Sequence, residues 1–178
     1  MRSGRSNGQH PINQHDAGTV TQLARALKMQ VYEASIKYSL VRIGYDEPLN
    51  SPPKIVEYMT GAFDDAPLQE SFYVICLNRK NRPLCRSRIS LGTVSNTLVH
   101  PREVFRIAVL ATASAIVVIH NHPSGDPSPS SADLMVTRQL RDAAKIMDIQ
   151  LMDHVIIGTK EDDPNGTGYY TFRGAGLI

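Results

Sequence analysis

The sequence predicts a three-layer α/β domain on three observations. Short apolar runs alternate with stretches of helical periodicity along most of the chain. One run, SAIVVIH (114–120), is apolar on both faces, as expected for a strand at the centre of a covered sheet. Two others, SFYVICLN (71–78) and PLCRSRISLG (83–92), flank the turn sequence RKNR and read as an antiparallel hairpin within the sheet.

The elements follow in order. Residues 1–18 are rich in Gly, Asn, Gln and His and lack apolar periodicity, so the expectation is a disordered arm. Residues 19–48 read as a poorly defined extension. In it TVTQLARALKMQ is too short and mixed to assign, and VYEASIKYSLV (31–41), rich in β-branched and aromatic residues, reads as a strand. The main domain is expected over 49–178. It opens with a helix start: Ser51 as N-cap, two prolines behind it, then Ile55, Val56 and Met59 on one face, with Asp64–Pro67 ending the helix. After the hairpin, Pro101 begins a helix whose buried side is Val104, Ile107, Ala108 and Leu110. The central strand leads into the loop NHPSGDPSP. A long amphipathic helix follows, with Leu134, Val136, Leu140, Ala144 and Met147 near helical spacing. LMDHVIIG (151–158) is a further strand, EDDPNGTG a loop, and YYTFRGAG a short terminal strand. No internal repeat is present.

Composition narrows the function classes. A chain of 178 residues, 42% of them hydrophobic, suits one domain with a sizeable core and an added arm. No apolar run approaches the ~20 residues of a membrane span; the longest, 107–119, is interrupted by Thr112 and Ser114. The polar N-terminus does not read as a secretory signal. Cys76 and Cys85 offer neither zinc-ribbon spacing nor a disulfide framework. They flank the hairpin turn and could pair across it, but two free thiols in a cytoplasmic protein is the preferred reading.

A net charge of +2 does not by itself indicate nucleic acid, but the charge is uneven. From Ser71 through Arg102 there is no acidic residue, while Arg79, Lys80, Arg82, Arg86, Arg88 and Arg102 are basic. Two readings stand: a solvated hairpin whose charges guard a sheet edge, or a patch that contacts DNA phosphates or an acidic partner.

The chemistry concentrates at the end of the central strand. His120 and His122 are two apart, so both rings can face one point as the strand runs out. With Ser130 as helix N-cap, Asp133 falls in the first turn, and the loop between is long enough to fold that turn back over the strand. Two His and one Asp leave a fourth position for water, the pattern of a catalytic rather than a structural zinc. The plainer reading remains beside it. Ser130-x-x-Asp133 is also a capping box, and Pro, Ser, Gly and Asp are turn residues.

These residues carry a resemblance. His120-x-His122, seven residues, Ser130, two residues and Asp133 resemble the signature of the JAMM (MPN-type) zinc metalloproteases. The fuller string HNHPSGDPSPSSAD is similar to the RadC-like branch, as are HPREVFRIAVL before it and LMDHVIIG after it. The resemblance implies a cytidine-deaminase-like fold, a mixed central sheet flanked by helices, with a zinc-dependent peptidase or isopeptidase site. By position, it makes His120, His122 and Asp133 the zinc ligands. Ser130 would steady the site and help stabilise a tetrahedral oxyanion. Glu70, opening ESFYVICLN, would be the general base. Its bland alternative is a solvated strand-end charge; Glu57 and Glu103 lie inside expected helices and fit less well.

The sequence departs from the pattern in two places. Asn121 stands where the protease branch has Ser or Thr, although Asn is usual in the RadC-like branch. The first ~48 residues show no Gly-centred helix-hairpin-helix pattern, which puts a borrowed DNA-repair role in doubt. The resemblance implies a protein or peptide substrate, whose identity the sequence does not reveal. The rival function is a repair-associated module that binds DNA through Arg79, Lys80, Arg82, Arg86 and Arg88 with little or no peptidase activity. A base deaminase fails on ligand type, since H-x-E followed by P-C-x-x-C is absent. His154 reads equally as a partner of the site and as a buried structural residue. His100 reads as a helix-entry residue, and His10 and His15 have no partner at ligand spacing.

Overall fold

The computed structural model describes residues 47–92 and 99–178, together with Lys37. Lys37 apart, these belong to one unit, Leu40–Ile178. The arm expected over 1–18 and, except for Lys37, the strand expected over 31–41 lie outside the described residues, as do His10 and His15.

The described residues form a five-stranded mixed sheet flanked by three helices. In chain order they are α1 (Pro52–Tyr58), β1 (Ser71–Leu77), β2 (Pro83–Leu91), α2 (Pro101–Leu110), β3 (Ala115–Asn121), α3 (Ser131–Met147), β4 (Gln150–Ile157) and β5 (Tyr169–Thr171). The strand order is β2-β1-β3-β4-β5. β3 runs antiparallel to β1 and parallel to β4, while the β1–β2 and β4–β5 pairs are antiparallel. The parallel pair requires a crossover, which α3 supplies. This is the three-layer α/β architecture that the sequence pattern predicts, in the cytidine-deaminase-like form that the resemblance implies.

The alternation of side chains along the strands builds a core on each face. On one, Phe72, Val74, Ile116 and Val118 pack with Val104 and Phe105 of α2 and Leu140 of α3. On the other, Tyr73, Ile75, Val117 and Ile119 pack with Leu49, Ile55 and Met59. β3 is buried along its whole length, as its two-sided apolar pattern requires.

Three expectations are corrected. α1 ends at Tyr58, not at Asp64–Pro67; Met59 closes it, and turns follow, one of them through Gly61 at φ +78°. Leu110 and Met147, expected in the core, are 44% and 42% exposed. Each is the last residue of its helix, where the chain turns away; after Met147, Asp148 takes a left-handed conformation at φ 52°. Phe105 fills the core from α2 where Leu110 does not.

Candidate metal centre

His120 lies near the end of β3, opposite Phe72 of β1 and Ile156 of β4. His122 continues the line, its backbone N–H donating to the Ile157 carbonyl at 2.8 Å. The two rings reach the same side, and their Nε2 atoms stand 3.1 Å apart. The loop that follows folds against the end of β4 because two glycines permit it. A Cβ on Gly125 would lie 2.2 Å from the Asp162 carboxylate, and one on Gly158 would lie 2.0 Å from the Gly125 carbonyl. The loop also orients His122, whose Nδ1–H donates to the Asp126 carbonyl at 2.8 Å and leaves Nε2 facing His120.

The loop ends at Ser130, the N-cap of α3. Here the capping box forms: the Ser130 hydroxyl oxygen accepts the Asp133 N–H, and Asp133 Oδ2 accepts the Ser130 N–H at 2.7 Å. The Ser130 hydroxyl donates to the same Oδ2 at 2.6 Å. The carboxylate so held also faces both imidazoles. Its Oδ1 is 3.2 Å from His120 Nε2, and its Oδ2 is 3.6 Å from His122 Nε2. The capping box and the approach to the histidines are therefore compatible. Burial opposes the Asp133 charge, but His120, His122 and Ser130 outweigh it and hold the carboxyl well below the usual range. Burial likewise opposes a His122 cation, yet Asp133 and the Asp126 carbonyl raise its pKa above the ordinary imidazole value.

Among the described residues, His120, His122 and Asp133 are the one group of three or more such side chains whose donor atoms lie within 4.8 Å of one another. Two donors about 2.0–2.1 Å from a zinc ion at the tetrahedral angle stand about 3.3 Å apart. Here the two nitrogens stand 3.1 Å apart, with one carboxylate oxygen 3.2 Å from His120 and the other 3.6 Å from His122, and the donor set is two imidazole nitrogens and a carboxylate, so these residues fit that ion. Glu70 borders the cluster, with Oε1 4.0 Å from His120 Nε2.

Glu70 is held from both sides. The Asn121 side-chain oxygen accepts the Ser71 N–H at 2.8 Å, and its amide donates to the Gln69 carbonyl at 3.1 Å. Sequence reasoning noted Asn121 only as a departure and missed this clasp, because its partners lie about fifty positions away. Thr137 was missed altogether. His154, left open by the sequence, sits fully buried with Nε2 2.9 Å from His120 Nδ1 and Nδ1 2.6 Å from the Thr137 hydroxyl. His100 is the N-cap residue of α2, without a side-chain cap bond, and Glu103 pairs with Arg102 and Arg106.

The basic run lies on the hairpin. Arg86 donates to the Tyr58 carbonyl at 3.0 Å and sits over the Tyr58 ring, and Arg88 pairs with Asp65 at 2.6 Å. Arg79 and Lys80 are exposed at the turn. Cys76 and Cys85 face each other across β1 and β2 as free thiols, and the neighbouring Cys76 lowers Cys85 to about 7.

Residues 49–177 match the RadC-like JAB domain family. The chain belongs to that family. Its RadC-like relatives include a UPF0758 protein of Chlorobium luteolum, 43% identical over 124 residues, which are 70% of this chain and 52% of that protein. A UPF0758 protein of Geobacter sulfurreducens is 40% identical over 161 residues, covering 90% of this chain and 67% of its own. One from Chlorobaculum parvum is 32% identical over 173 residues, covering 96% and 74%. The chain spans about half the length of several of the curated relatives it matches. Among the described residues no helix of this RadC-like chain is long and apolar enough to cross a membrane.

Proposed function

We propose that this chain is a zinc-dependent hydrolase of peptide or isopeptide bonds, acting on a protein or peptide in the cytoplasm. The observation that carries the reading is the convergence of three donor atoms at zinc-compatible separations with a fourth, acidic group beside them. His120 Nε2, His122 Nε2 and an oxygen of Asp133 would hold the ion. When bound, the ion supplies positive charge that polarises a carbonyl and acidifies water. Glu70 Oε1 takes the proton of the attacking water and passes it to the departing amine. Its quarter-exposed side chain leaves it open to substrate from the solvent side. Ser130 orients Asp133; its one hydroxyl proton is committed to Oδ2, so a part in steadying an oxyanion requires the hydroxyl to turn.

Nucleic-acid binding by Arg79, Lys80, Arg82, Arg86 and Arg88 has less support. Arg86 and Arg88 tie the hairpin to residues 58–65, which is a structural use of their charge.

The test is metal content and hydrolysis in the full chain. About one zinc per chain is expected in the wild type, lost in His122→Ala and Asp133→Ala. Glu70→Gln should retain the metal and lose cleavage of a panel of peptide and isopeptide-linked substrates. A wild type that takes up no zinc, or a Glu70→Gln protein with undiminished cleavage, would overturn the reading.

A further inference from the structure

A line of short polar contacts runs inward from the cluster, behind His120. His120 Nδ1 is 2.9 Å from His154 Nε2, His154 Nδ1 is 2.6 Å from Thr137 Oγ1, and Thr137 Oγ1 is 2.6 Å from the Asp133 carbonyl oxygen. Every one of these contacts is short enough to need a proton between its atoms. The count of protons decides where each one sits.

The Asp133 carbonyl has no proton to offer, so the Thr137 hydroxyl donates to it. That hydroxyl has only one proton. The equally short contact to His154 must therefore be filled by a proton on His154 Nδ1. His154 is 0% exposed, with the Phe172 ring stacked on it at 4.6 Å and the Phe72 ring edge-on at 5.6 Å. An unpaired cation in such a cage is costly, so the ring is neutral. A neutral His154 that carries its proton on Nδ1 has a bare Nε2, which accepts from His120 Nδ1–H. With Nδ1 so engaged, Nε2 is the nitrogen of His120 left to face His122 Nε2 and Asp133 Oδ1.

We infer that Thr137 and His154 are positioning residues: a buried hydrogen-bond chain that keeps a proton on His120 Nδ1 and sets the ring angle, so that Nε2 is the nitrogen that meets the cluster. The chain begins on the Asp133 backbone, so one turn of α3 orients two members of the cluster. Asp133 is held through its side chain by Ser130, and His120 through Thr137 and His154. The consequence for metal affinity rests on the hydrolase reading; the tautomer assignment does not.

The experiment is a two-bond proton–nitrogen NMR correlation on the histidine rings of the full chain, recorded without metal and with one equivalent of zinc. The expected result in both is the proton on Nδ1 of His154 and on Nδ1 of His120. Thr137→Val removes the hydroxyl at nearly constant shape. It should mix the His154 tautomers and weaken zinc binding about tenfold to a hundredfold in chelator competition. Thr137→Ser, which keeps the hydroxyl, should restore both. His154→Leu should weaken zinc binding by a similar factor, and the threonine pair carries the test should that variant not fold. A proton on His154 Nε2 in the metal-free protein would overturn the inference while leaving the hydrolase reading intact. So would a Thr137→Val protein with unchanged tautomers and zinc affinity. Failure of the wild type to bind zinc, with the expected metal-free tautomers, would instead sink the hydrolase reading alone.

Discussion

Asn121 holds Ser71: the Ser71 backbone N–H donates to the Asn121 side-chain oxygen at 2.8 Å, across the gap from β3 to β1. The same carboxamide donates to the Gln69 carbonyl, so the chain is gripped on both sides of Glu70. Asn121→Ala leaves the buried Ser71 N–H without that partner, at a cost of about 1–3 kcal/mol, and also removes the part-buried contact to the Gln69 carbonyl. The urea midpoint should fall accordingly. Cleavage should fall more than zinc content, because Glu70 loses its placement while the three donors keep theirs. Equal losses of metal and cleavage would show that Asn121 supports the cluster as a whole.

Ser130 caps α3 and orients Asp133 at once. Ser130→Ala removes the cap, for about 1 kcal/mol in thermal or urea unfolding of the metal-free chain. The freed carboxylate should also weaken zinc binding about tenfold. Ser130→Thr keeps the hydroxyl and should recover most of both. A loss of stability without any change in zinc affinity would confine Ser130 to the cap.

Gly158 lies where the loop after β3 meets the end of β4. A Cβ there would stand 2.0 Å from the Gly125 carbonyl, a backbone atom with no easy way to yield. Gly158→Ala should cost about 1–3 kcal/mol and shift the backbone amide signals of His122 and Gly125. Gly166 offers the comparison, since nothing lies within 4 Å of its Cβ position and only its φ of +68° resists a side chain. Gly166→Ala should be the milder change, and it should leave the His122 signal in place.

Asp163 organises the loop before β5. Its oxygens accept the N–H groups of Asn165, Thr167 and Gly168 and the Thr167 hydroxyl, at 2.7–2.9 Å. The Asn165 N–H, followed by the Thr167 hydroxyl, lowers its pKa from the ordinary 3.8 to about 2. A folded-state value below the unfolded one means stability that is present above pH ~4 and lost as pH falls toward ~2. Unfolding midpoints of the wild type should drop through that window. Asp163→Asn should be less stable at neutral pH and should lose less across the same window. Parallel curves for the two proteins would show that other carboxylates govern the acid limb.

The features legible in the sequence are those carried by local pattern. The two-sided apolar run of β3, the hairpin and the start of α3 follow from spacing within a few residues. So does the cluster, since His120, His122, Ser130 and Asp133 fall within fourteen positions and the turn residues between them bend the chain back. Helix ends were less legible. Leu110 and Met147 keep the helical period but close their helices, and periodicity cannot say that the core stops one residue sooner.

Sequence alone determined the α/β class, the central strand and the identity of the residues gathered at its end, because each depends on short-range periodicity and turn chemistry. Tertiary structure alone decided what holds them. His154 meets His120 across 34 positions, Thr137 meets His154 across 17, and Asn121 meets Ser71 across 50. These contacts exist because β3 lies between β1 and β4 with α3 packed over it. Strand register and helix docking, not any run of neighbouring residues, bring their donors and acceptors within reach.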